Sequence, residues 1–167
     1  MRYLFLMGVF FISGCATLHD PVPSGYTGET VLLEDSYTSY GSTKADIFFV
    51  QKVDGKEIDN TLYKTRDDNY GKGMYMQPSV VSRRIPAKEV TIHIVGRTAY
   101  AAPILTLINT VYEAKGDIKF TPEPRKTYIV KGKLGENYSA VWVEERMSEK
   151  IVGKIEQKDS SSVLFKY

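Results

Sequence analysis

From Thr30 to Gln157 the chain consists of short stretches rich in Val, Ile, Tyr, Phe and Thr, each closed by turn residues, with no long helical period. Such a pattern predicts strands, because branched and aromatic side chains suit a pleated, half-buried surface and Gly, Pro, Asn and Asp interrupt each run. The strongest local signal is "FFVQKVDGKEIDNTLY". There the strand "ADIFFVQKV" meets Asp54-Gly55, a pair suited to the positive φ angles of a type I′ turn, so the stretch reads as a hairpin. Ahead of it, "TVLLEDS" predicts a first strand with Val31 and Leu33 on one face, and "SYTSYGSTK" predicts a loop. Behind it, Arg66 to Ser79, "RDDNYGKGMYMQPS", is polar and glycine-rich and predicts an exposed loop, with room for a short strand at "GMYMQ".

The second half follows the same logic. "RRIPAKEVTIHIVG" is expected to turn at Ile85-Pro86-Ala87-Lys88 and then alternate, with Val90, Ile92 and Ile94 on one face and Thr91 and His93 on the other. "PILTLINTVYEA" fits a buried strand or a short helix, and its Thr, Ile and Val content favours the strand. Gly116-Asp117 is expected to turn the chain into "DIKFTPEP", and "KTYIVKGKL" follows. "GENYSAVWVEER" is a clear strand, and "MSEKIVGKIEQ" is one more beyond a turn at Ser148-Glu149. In "SAVWVEER", Trp142 alternates with Val141 and Val143. Either face could meet the core, and the bulk of the only tryptophan favours placing Trp142 inside. Many short strands without an internal repeat predict an all-β fold, a single antiparallel β-sandwich.

The chain has 167 residues and one cysteine, Cys15. Its formal net charge is +2, and Arg2 is the only charged residue before Cys15, so the remainder carries +1. No basic field of the kind nucleic acid demands is present, and no nucleic-acid partner is expected. The stretch "LFLMGVFFISGC" places an apolar run, Leu4 to Ile12, between Met1-Arg2 and the small residues Ser13 and Gly14. That run suits the core of a secretory signal and is too short to span a bilayer.

"ISGC" resembles the lipobox of bacterial lipoproteins. In that family the cysteine thiol receives diacylglycerol and cleavage makes the cysteine the new N-terminus. The resemblance implies lipidation of Cys15, with palmitate-type chains holding the protein to a membrane. Ala16, rather than Asp, implies transfer to the periplasmic face of the outer membrane in a Gram-negative cell. The expected organisation is a signal peptide over 1–14, the lipidated Cys15 and a flexible tether over 15–29, a sandwich over 30–157 and a tail over 158–167. With its cysteine lipidated, the mature domain must hold together by core burial. A second resemblance covers roughly Arg84 to Val152. "RIPAKEVTIHIVG", "GDIKFTPEPRKTYIVKG" and "SAVWVEER" are similar to a strand pattern in small bacterial envelope lipoproteins. It implies an immunoglobulin-like or transthyretin-like sandwich. Lys88 stands where that pattern has glycine, and "ERMSEKIV" replaces its turn glycine.

Catalytic chemistry is thinly represented. Of the two histidines, His19 falls in the tether and His93 on a strand, where it is a candidate general base without a recognisable nucleophile motif. Gly71-Lys72-Gly73 lacks the spacing of a phosphate loop. Asp67-Asp68-Asn69 offers hard oxygens without the spacing of a calcium motif. Met74 and Met76 on a strand would share a face, as a Cu(I) site or a core both require. No cofactor, metal or enzymatic activity is therefore expected. Tyr37, Tyr40, Tyr70 and Tyr75, with Arg66, Arg83 and Arg84, form a candidate binding surface, since Tyr and Arg commonly anchor interfaces. The resulting expectation is a non-enzymatic envelope lipoprotein that binds or scaffolds a protein partner. The alternative is a receptor for a small ligand or glycan that uses the tyrosine-rich loops. A deep pocket lined by Tyr and Arg favours the receptor, and a flat apolar patch favours the scaffold.

Overall fold

The computed structural model describes residues 17–158, so the expected signal stretch, Cys15 and the tail beyond Lys158 lie outside it. Ten strands form two sheets. They are β1 (Thr30–Glu34), β2 (Ser36–Ser39), β3 (Lys44–Val53), β4 (Lys56–Glu57), β5 (Ser82–Pro86), β6 (Val90–Tyr100), β7 (Glu113–Phe120), β8 (Thr127–Lys133), β9 (Tyr138–Glu145) and β10 (Ile151–Lys158). Two short helices interrupt them, α1 (Thr61–Asp68) and α2 (Pro103–Ile108). One sheet has the order β10-β9-β8-β1-β5, and the other β2-β3-β6-β7, with β4 pairing β3. The β1–β8 pair is parallel and the other described pairs are antiparallel. The protein is an all-β sandwich, with its main core between the sheets.

Strand alternation explains that core. Val90, Ile92 and Ile94 are buried, and they pack with Val31, Leu33, Phe48, Val50, Val130, Val141 and Val143. Phe48 reaches across to β8 and lies over Gly132. A Cβ at Gly132 would stand 2.4 Å from its ring carbons, so only glycine admits the ring there. β1 and β2 are one extended run that leaves the first sheet and joins the second at Asp35. At this crossing Asp35 is buried. Its carboxylate accepts from Arg83 Nη1 and Nη2 at 2.7 and 2.6 Å, from the Val50 amide at 3.1 Å and from the Thr61 amide at 2.9 Å. One carboxylate thus ties β5, β3 and the start of α1 to the point where the strand changes sheets.

Several sequence expectations need correcting. "SYTSYGSTK" is not all loop, because Ser36–Ser39 pairs with Ala45–Phe48 as β2. The hairpin at Asp54-Gly55 is present, with φ of 48° and 78°, but its return strand is only Lys56–Glu57. The chain then enters α1, where the Asn60 side chain accepts from the Leu62 and Tyr63 amides and caps the helix. "GMYMQ" forms no strand. Met76 is buried whereas Met74 is exposed, so the two thioethers do not converge. "SRRIP" is strand β5, and the turn comes after Pro86.

"PILTLI" is a helix, not a strand, begun by Pro103 at its first turn. Gly116 and Asp117 lie inside β7 rather than in a turn. Val141 and Val143 are the buried pair, while Trp142 is only partly covered on the outer face, its Nε1–H donating to Glu144 Oε2 at 2.8 Å. Residues 17–29 carry no strand or helix, yet the His19 amide donates to the Glu57 carbonyl at 2.8 Å, fastening this segment to the domain.

Candidate functional site

β3 is apolar on both faces. Phe48 and Val50 point into the sandwich, while Ala45, Ile47 and Phe49 point outward beside Val95 of β6. The outward set needs its own cover. Leu62 of α1 and Met76 of the following loop supply it, forming a second small core. That loop is pinned by Asn69. Its Nδ2 donates to the Thr65 and Gln77 carbonyls at 2.7 and 2.8 Å, and its Oδ1 accepts the Gln77 amide at 3.0 Å.

The cover stops short of the end of β6. Between α1 and its loop on one side and α2 on the other lies an open groove of about 700 Å³. Leu62, Met76, Ala99 and Ala101 contribute apolar surface, and Pro103, Thr106 and Leu107 form the α2 wall. Tyr70 and Tyr100 also line it, with Arg66 from α1 and Arg97 from β6. The Tyr100 hydroxyl donates to the Thr110 carbonyl at 2.8 Å. Burial, and then the charge of Asp46, raise its pKa. α2 has no buried residue, and Ile104, Leu107 and Ile108 are exposed at 55, 62 and 70%. An apolar surface therefore continues from the groove onto its rim.

The two arginines differ. Arg97 Nη1 donates to Glu113 Oε2 at 2.8 Å, and Glu113 also meets Lys115 Nζ at 2.6 Å. Arg66 has no hydrogen-bond or ion-pair partner among the described residues. Arg66 is exposed to solvent, yet desolvation by the groups packed around it, followed by the like charge of Arg97, lowers its pKa below the ordinary arginine value.

Only part of the predicted binding surface gathers here. Arg66 and Tyr70 line the groove. Tyr75 is exposed on the Asn69-pinned loop without lining it. Tyr37 lies on β2, and Tyr40 lies beside it with Lys44 Nζ 4.9 Å from its ring centroid. Arg84 faces solvent on β5 and donates to Thr30 Oγ1 at 3.2 Å. Arg83 is the clear correction. Its side chain is 6% exposed and committed to Asp35, because alternation on β5 turns it inward where Arg84 turns out. Arg97, Tyr100 and Leu107 were not singled out in the sequence. The usable signal was the outward parity that Arg97 shares with Val95.

Elsewhere, His93 Nδ1 lies 2.7 Å from Asp117 Oδ1 in a hollow of about 230 Å³. This supplies a base and an orienting carboxylate, but the one hydroxyl of the lining, Thr91, makes no hydrogen bond to His93, and its one amine, Lys52, is paired with Glu57 at 3.4 Å. Asp68 is paired with Lys64 at 2.7 Å, and among the described residues no group of three or more His, Cys, Asp or Glu side chains could hold a metal ion. No helix among them is long and apolar enough to cross a membrane. No protein-family model matches the chain, and neither a curated protein nor a solved structure matches it significantly.

Proposed function

We propose that this chain is a non-enzymatic, lipid-anchored binding module of a bacterial envelope, whose ligand occupies the groove between α1 and α2. The observation that carries the reading is the groove itself. It is concave, mostly apolar, within the size range of ligand sites, and marked by a few polar groups able to orient a guest. Anchorage rests on "ISGC" and Cys15. It would hold the groove at the periplasmic face of the outer membrane.

A second reading, a protein partner docking on α2, is favoured by the exposed Ile104, Leu107 and Ile108. The concavity of the site favours the receptor over it. Purification of the protein from its own membranes, followed by mass spectrometry of released small molecules, separates the two. A bound molecule should be found, and Thr106→Trp, which fills the groove from a partly covered position of α2, should abolish it. Finding no small molecule, with a protein crosslink lost on Ile108→Asp, would replace the receptor by the scaffold.

A further inference from the structure

We infer that the guest of this groove is a single-chain anionic amphiphile, with its acidic head at Arg66 and its apolar chain over Leu62, Met76 and Ala99. The inference rests on the receptor reading above and names the ligand class. Shape and charge both bear on it. The apolar lining and the exposed Ile104, Leu107 and Ile108 beyond it would both be covered favourably by a hydrocarbon chain. A glycan needs many hydrogen-bonding groups, whereas here the Tyr100 hydroxyl is already committed to the Thr110 carbonyl.

The charged residues of the lining point to the head group. They are Arg66 and Arg97, and Arg97 is paired with Glu113 at 2.8 Å. The groove lining contains no carboxylate among the described residues. Arg66 has no hydrogen-bond or ion-pair partner among the described residues, and its guanidinium is shaped to take a carboxylate or similar anion through two parallel N–H donors.

The test uses the full chain reconstituted in lipid nanodiscs. The probes are a diazirine-bearing dodecanoate and the matching dodecanol, and crosslinks are mapped by peptide mass spectrometry. Dodecanoate should label peptides from 61–76 and 97–107. Arg66→Gln should cut that labelling about tenfold, the order expected for losing one charge-assisted contact, and Arg66→Lys should restore part of it. Arg66 makes no bond to the described residues, so the glutamine variant should melt with the wild type. Equal groove labelling by acid and alcohol, indifferent to Arg66→Gln, would overturn the head-group assignment and leave the receptor reading standing. Groove peptides unlabelled by either probe would overturn both.

Discussion

Replacing Asp35 with alanine removes the one carboxylate that four donors share at the sheet crossing. Its side chain is fully buried, and Arg83 beside it is 6% exposed. The alanine variant would strand a charged guanidinium whose Nε already has no partner. It would also orphan the amides of Val50 and Thr61. Breaking one side of a buried ion pair costs about 3–5 kcal/mol, and the two freed amides push the cost toward the upper end. For a domain of this size, that corresponds to a fall in Tm of roughly 6–20 °C.

Thermal and urea denaturation followed by circular dichroism measures the loss. Asp35→Asn keeps the shape and one acceptor, so it should fall between wild type and alanine. The double variant Asp35→Ala/Arg83→Met removes the stranded charge and should recover part of the stability lost in Asp35→Ala alone. A loss below about 1 kcal/mol for Asp35→Ala, or a double variant no more stable than the single, would refute the argument that this pair locks the crossing.

Gly55→Val should cost about 1 kcal/mol or more in the same melts, because φ is 78° there while no atom lies within 4 Å of the place a Cβ would take, leaving backbone strain as the sole cause. Gly132→Ala drives a methyl group into the Phe48 ring and to 2.6 Å from the Ala140 carbonyl oxygen, and should cost about 1–3 kcal/mol; an unchanged melting curve would mean that both the ring and the β9 backbone can give way. Trp142 should emit from a partly wet environment and be quenched measurably by acrylamide, since it is only partly covered and its Nε1–H is bound to Glu144. Cys15→Ser should abolish incorporation of a labelled fatty acid and release the protein from membranes, and undiminished labelling would remove the anchor from the proposal.

Much of the sandwich was legible because strand alternation is a burial pattern. Val31 and Leu33, and Val90, Ile92 and Ile94, each share a face in the sequence and are buried in the fold. The helices escaped for physical reasons. α1 buries only Thr61, Leu62 and Thr65, so its helical period is written partly in threonine; Asn60 as a cap and Lys64–Asp68 at helical spacing were the available signs. α2 buries nothing, so no period exists to be read. Its branched residues suggest a strand, while Pro103 at the first turn and the Asn109 side chain closing on the Leu105 carbonyl hold it helical. Arg83 and Trp142 were misplaced for a related reason. Burial of a charge depends on Asp35, 48 positions away, and the face taken by Trp142 depends on which side the second sheet covers.

The position of the groove follows from one feature of β3. A strand that alternates cleanly needs cover on one face, whereas "ADIFFVQ" is apolar on both and requires a second layer. The segment between β3 and β5 provides that layer through Leu62 and Met76, but α1 is only eight residues long and ends at Asp68. Beyond its reach, β6 and the residue that follows it change character on the same outward face, from Val95 to Arg97, Ala99 and Ala101. Large apolar side chains at those two alanines would have filled the space against α2. Small ones leave a hollow bordered by Arg66 and Arg97, so the alanines on the outward side mark where packing ends and the open groove begins.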